Sequence, residues 1–193
     1  IGILIAAIGV LWKDIVKILK RPFSKLPMYI ILASIPYIVI NLLLGDYINS
    51  ILITGSTLGF GFIITGIVLL IAETVESDHR DLESMTLKNA LIIGVIQGFA
   101  VFPIISRSAM VITGALTQDL DRRFATRFSF LMAIPAILFS IISERETLVL
   151  AIHTPDLIAS IIAGTIAATI AGCFAINSVS RLITRGRLNR LAY

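Results

Sequence analysis

Residues 89–116, NALIIGVIQGFAVFPIISRSAMVITGAL, constrain this chain more than any other stretch. The run is long enough to enter a bilayer, yet Pro103 interrupts it and Arg107 stands inside it between Ser106 and Ser108. Lys88 and Asp119 flank it, and no other ionisable group lies between them. A guanidinium at hydrocarbon depth costs roughly 2.5–3.5 kcal/mol on insertion scales unless it faces protein or water. Backbone polar groups freed by a break at that depth need the same shelter. Other helices must therefore enclose the break.

The rest of the chain supplies such helices. Of its 193 residues 57% are hydrophobic and 15% charged, and the mean hydropathy is +0.98. Those values exclude an ordinary soluble domain and indicate an integral membrane protein. Its apolar runs do not alternate with polar residues, so they predict helices rather than barrel strands. In order, they are 1–19 (apolar, then amphipathic), 28–44 with Pro36 as a kink, 54–72, the 89–116 stretch, 128–142 containing Pro135, and 157–179. Glycines 55, 59, 61 and 66 suit the third run to close helix packing. Turns or loops are expected at 45–49, 73–88, 117–127 and 143–156, and the tail from Arg181 is basic. No low-complexity linker divides the chain, so 1–193 reads as one transmembrane domain. Because Ile1–Val10 is already apolar, with no basic start or cleavage site, the chain is expected to begin inside a longer protein.

Charge placement selects a topology. If 89–118 enters and leaves on one side, the segments 13–25, 80–88, 122–127 and 181–190 all face one compartment. Of the 16 Lys and Arg, only Arg107 and Arg145 then lie outside them. A single straight span would scatter those charges, against the positive-inside rule. The expectation is an all-α, polytopic helical bundle with a re-entrant broken helix pair at 89–118, its basic loops and tail cytoplasmic. The net charge of +4 belongs to these membrane flanks and does not indicate nucleic acid. Cys173, the one cysteine, excludes an internal disulfide and reads as a small buried hydrophobe. His79 and His153 read as solvated loop residues, and Asp121, Arg122 and Arg123 as headgroup anchors.

A broken helix pair exposes backbone N–H groups at the start of its second half, and these favour an anion. Arg107 adds a planar fork matched to phosphate oxygens, and Ser106 and Ser108 add hydroxyls. In apolar walls, such a cradle suits an anionic head on a greasy tail. The competing structural reading pairs Arg107 with a carbonyl or carboxylate, with Glu73 and Asp119 as candidates. On its own chemistry, Gln97 suits a hydrogen bond between helices.

These residues resemble the undecaprenyl-diphosphate phosphatase (bacitracin-resistance protein) family. Its members carry a Gln in the first half-helix and then a Pro-Gly-x-Ser-Arg-Ser-Gly-x-Thr loop, matched here by Gln97, Pro103, Ser106, Arg107 and Ser108. Residues 127–136 and Trp12-Lys13-Asp14 also resemble family segments. The family's glycines fall on Ile104 and Ala109 and its threonine on Val111. Its first inverted repeat, with paired glutamates and a Ser-Ser-Thr-Gly-His loop, has no match here. The resemblance implies a membrane phosphatase that cleaves a polyprenyl diphosphate, with Arg107, Ser106 and Ser108 in the catalytic role. Gln97, Pro103, Arg107 and Thr113 would bind substrate. A divalent cation (Mg or Ca) would be held by ligands outside this segment, and no metal ligand is assigned within it. The expected partners are the lipid and the bilayer, and a homodimer is compatible with the sequence. The alternatives are a lipid-phosphate transporter or flippase, or a non-catalytic lipid-phosphate-binding member.

Overall fold

The computed structural model describes residues 1–52, 55–76, 80–102 and 105–184. Among these residues the named elements are helices: α1 Gly2–Val10, α2 Trp12–Lys20, α3 Lys25–Leu52, α4 Gly55–Thr74, α5 Leu87–Gly98, α6 Arg107–Thr117, α7 Arg122–Ser143, α8 Arg145–Ile152 and α9 Pro155–Thr184. A single 3-10 turn, Phe99–Val101, follows α5. Among the described residues, three helical segments are long and apolar enough to cross a membrane: Lys25–Gly45, Arg122–Ser143 and Leu157–Ile183. The all-α membrane class read from composition is therefore what the chain forms.

Four expected boundaries are corrected. The run at 1–19 is two nine-residue helices, because Leu11 leaves helical geometry (φ −99°, ψ 18°). Its carbonyl nevertheless accepts from Asp14 and Ile15, so α2 restarts at once. The expected turn at 45–49 is helix, the continuation of α3. There Ile48 is buried beside Tyr37, Val101 and Ala136, and that burial outweighs the turn-like composition of Gly45-Asp46. Residues Arg122–Arg127 open α7 instead of lying in a turn. Asp121 caps that helix by accepting the Phe124 N–H at 2.8 Å. The loop at 143–156 contains α8, ended by Thr154, whose hydroxyl donates to the Leu150 carbonyl, and by His153, whose ring bonds the Val149 carbonyl.

Most of the basic residues gather at one end of the bundle, where they meet acidic and backbone partners. Lys25 meets Glu83, and the Arg80 N–H donates to the Asp119 carbonyl while the Asp121 N–H donates to that of Arg80. Arg122, read as a headgroup anchor, instead donates to the carbonyls of Glu73 and Val75 at the end of α4. Asp81 closes its own loop: the Ser84 and Glu83 N–H groups and the Ser84 hydroxyl surround its carboxylate and hold it below the usual carboxylate range.

Across this end, Arg127 makes two charge-assisted bonds to Asp14, tying α7 to α2. The Asp14 side chain is 10% exposed and that of Arg127 48%, which makes the pair asymmetric. Removing Arg127 strands an enclosed carboxylate, whereas removing Asp14 leaves a cation that water still reaches. Arg127→Met is thus expected to cost about 3 kcal/mol, and Asp14→Asn clearly less, when unfolding is followed in detergent. Equal costs would refute the asymmetry.

Close helix contacts depend on small residues. A Cβ on Gly2 would lie 2.6 Å from the Thr165 carbonyl oxygen, and one on Gly172 would lie 2.9 Å from Ala6 Cβ. A Cβ on Gly94 would lie 2.5 Å from the Ala33 carbonyl oxygen. Helix α1 thus lies directly on α9, and α5 on α3. The glycine-rich α4 differs at Gly59, where a Cβ would have open space.

Candidate functional site

The 89–116 stretch is broken as its proline and charge pattern predict. α5 ends at Gly98 and α6 begins at Arg107. The outer ends of the pair meet: Asn89 Nδ2 donates to Gln118 Oε1 at 3.0 Å. Thr86 caps α5 in a reciprocal capping box with Asn89. The pair is therefore a hairpin whose ends both lie at the charged end of the bundle. At 1.5 Å per residue, each half-helix is about 17–18 Å long, well short of a hydrocarbon core of roughly 30 Å.

The inner end carries three of the predicted site residues, Ser106, Arg107 and Ser108, at the start of α6. Ser106 caps α6, its hydroxyl accepting the Ala109 N–H at 3.4 Å. The Ser106 N–H donates to Thr65 Oγ1 on α4 at 3.1 Å, which fixes the start of the helix. The first N–H groups of α6 have no carbonyl of their own helix to bond. Ser108 follows in the first turn, and its carbonyl accepts from the Ser129 hydroxyl of α7 at 3.4 Å. Ser106 is exposed and Ser108 half-buried.

Arg107 is half-buried and has no ion pair among the described residues. Its guanidinium carbon instead lies over the Tyr37 ring, 4.9 Å from the centroid. Its Nε is enclosed with no hydrogen-bond partner. Tyr37 is the residue that sequence reasoning missed. It sits twelve positions into α3, roughly 18 Å from Lys25, in an apolar run that gives no chemical signal.

Gln97 is fully buried, and neither its amide nitrogen nor its amide oxygen has a partner among the described residues. An interhelical hydrogen bond is therefore not what it makes. A buried amide left unpaired costs about 1–3 kcal/mol. Gln97→Leu is expected to raise the unfolding midpoint of the ligand-free protein, by the equivalent of about 1 kcal/mol. A lowered midpoint would show that the amide is satisfied by ordered water. Thr113 is not brought to the Arg107 end: its hydroxyl donates to the Val68 carbonyl of α4 at 3.3 Å. Pro103, Ile104 and His79 lie outside the described residues. Ala109 and Val111, where the resemblance expects Gly and Thr, are both buried.

Among the described residues no three of His, Cys, Asp and Glu converge. Two cavities at the charged end, about 430 and 420 Å³, include neither Arg107 nor either serine. In chemical terms, the inner end of the hairpin offers an uncompensated guanidinium, helix-start amides and two hydroxyls. That set has the chemistry to bind and polarise an oxyanion.

The profile of the Bacitracin resistance protein BacA family matches residues 1–193. Undecaprenyl-diphosphatase of Carboxydothermus hydrogenoformans is 36% identical over 196 residues, covering all of this chain and 75% of the relative. Undecaprenyl-diphosphatase 4 of Bacillus thuringiensis is 37% identical over 193 residues, again covering the whole chain and 74% of the relative. Undecaprenyl-diphosphatase of Halothermothrix orenii is 33% identical over 195 residues, covering 100% and 75%.

Proposed function

Because the chain belongs to the Bacitracin resistance protein BacA family, we propose that it hydrolyses undecaprenyl diphosphate to the monophosphate and phosphate, recycling a lipid carrier. The single observation that carries this reading is Arg107 at the start of α6, charged and without an acidic partner among the described residues. A carboxylate beside it would compete with an incoming phosphate. None is present among those residues, so the positive charge is left for the substrate head.

In this reading the terminal phosphate lies against Arg107 and the first amides of α6. As the bond to the leaving phosphate loosens, charge spreads over the equatorial oxygens, and the guanidinium and amides stabilise it. Ser106 and Ser108 donate hydroxyl hydrogens to the remaining oxygens. Gln97, whose amide has no partner among the described residues, orients the head or its water. The residues around Arg107 do not fit a divalent-cation site, so no step is derived through one. We assign any such ion to ligands outside the segment. The nucleophile is likewise not assigned to a residue of this chain, which spans about three quarters of the length of the relatives it matches.

The hairpin then enters and leaves the membrane on one side, carrying Arg107 to about mid-depth beside Tyr37. The basic segments at the charged end face the cytoplasm, consistent with the positive-inside rule. The test is phosphate release from undecaprenyl diphosphate by the protein in liposomes, with and without added divalent cation. Release that depends on the protein supports the reading. Its absence under every cation condition, with the lipid still bound, would overturn hydrolysis.

A further inference from the structure

We propose that Tyr37 is the positioning residue for Arg107: its ring is the platform that fixes the guanidinium plane without neutralising the charge. This rests on the phosphate-binding reading above and adds to it a residue from a different helix.

The argument begins with how an arginine can be held. A side chain with four rotatable bonds must be ordered by something, or it loses binding free energy each time it is frozen against a ligand. Carboxylates usually do this, but a carboxylate also cancels the charge that a phosphate needs. An aromatic face does the first job without the second, since its quadrupole attracts the cation while carrying no net charge. The 4.9 Å separation between the guanidinium carbon and the ring centroid lies inside the effective range of about 6 Å.

The platform itself is rigid. Tyr37 is 4% exposed and packs with Ile48, Val101 and Ala136, with Ile38 and Ile40 against the same cluster. Ile48 belongs to the end of α3 itself, Val101 to the turn after α5, and Ala136 to α7, so two elements besides α3 pack around the ring. Nε is enclosed and has no hydrogen-bond partner among the described residues, so no bond there competes with a ligand. The sequence pattern hides this role because Tyr37 stands between Pro36 and Ile38 in an ordinary apolar run.

The test uses binding as well as turnover. Affinity for farnesyl diphosphate, a short soluble polyprenyl diphosphate, is measured alongside phosphate release. Tyr37→Leu is expected to weaken affinity and kcat/KM about tenfold, and Tyr37→Phe, which keeps the ring face, to recover most of the loss. Because a merely structural ring would give the same rescue, position 37 is then filled with mono-, di- and trifluorinated phenylalanine. These keep the ring's shape while draining its quadrupole. A stepwise fall in affinity with fluorination, at a constant unfolding midpoint, supports the platform. A flat series, or failure of Phe to rescue, overturns it. Arg107→Ala in the same assay separates the two levels. If it loses binding while the fluorinated series is flat, only the Tyr37 inference fails; if it binds normally, the phosphate-binding reading fails and the inference with it.

Discussion

Arg107→Ala is expected to lower phosphate release by at least about 10³-fold, the scale measured when a charge-stabilising arginine is withdrawn from a phosphoryl-transfer site. The fold should scarcely notice the change. Arg107 makes no ion pair among the described residues, so its removal strands no opposite charge, unlike the loss of Arg127. What goes is one cation–ring contact, about 1–2 kcal/mol of local order. The expected signature is therefore a catalytic collapse with a nearly unchanged unfolding midpoint. Arg107→Lys should also be badly impaired, by roughly 10²-fold. An ammonium keeps the charge but offers neither the two-pronged geometry nor a flat surface to lie on Tyr37. Phosphate release by the purified variants is the measurement. A lysine variant with near-parental turnover would show that charge alone matters, and an active alanine variant would remove Arg107 from the chemistry.

The break between α5 and α6 can be read from residues 89–116, and the reason is energetic. An arginine, a proline and two serines in an apolar run leave few folded solutions, because each carries a cost in hydrocarbon that only a hairpin sheltered by protein avoids. The balance of Lys and Arg adds an independent constraint on where the ends of that hairpin lie. The structure brings them together through Asn89 and Gln118. Boundaries elsewhere were less legible because they depend on partners distant in sequence. Gly45–Asn49 looks like a turn until Ile48 is seen packed on Tyr37 and Ala136. Arg122 looks like a surface anchor until the end of α4 is placed under it. Tyr37 shows the limit most plainly: no local pattern distinguishes a tyrosine that fills space from one that holds an arginine 70 positions later.

Gly94→Ala should be among the most damaging single-methyl additions in this chain, and two opposing effects decide its sign. Within a helix, replacing Gly by Ala gains about 1 kcal/mol from backbone entropy. Against that, the new Cβ at position 94 would meet backbone, 2.5 Å from the Ala33 carbonyl oxygen and 2.9 Å from its Cα. Backbone cannot rotate aside as a side-chain tip can, so α5 must move off α3. Overpacking of that kind costs about 3 kcal/mol or more, and the net is a loss of about 2 kcal/mol. Gly98, one turn further on, meets only the flexible tip of Ile40 and should tolerate Ala better. Gly59, with open space around its Cβ position, should gain from the same change. The predicted order of unfolding midpoints in detergent is Gly59→Ala at or above the parent, then Gly98→Ala, then Gly94→Ala. The functional consequence follows from the same contact. Tyr37 sits one helical turn beyond Ala33 on α3, and α5 leads to the hairpin end that carries Arg107. Any separation of the two helices pulls the arginine away from its ring. Gly94→Ala should therefore lose phosphate release even at temperatures where it stays folded, and full activity in a folded Gly94→Ala protein would show that the α3–α5 contact does not set the site.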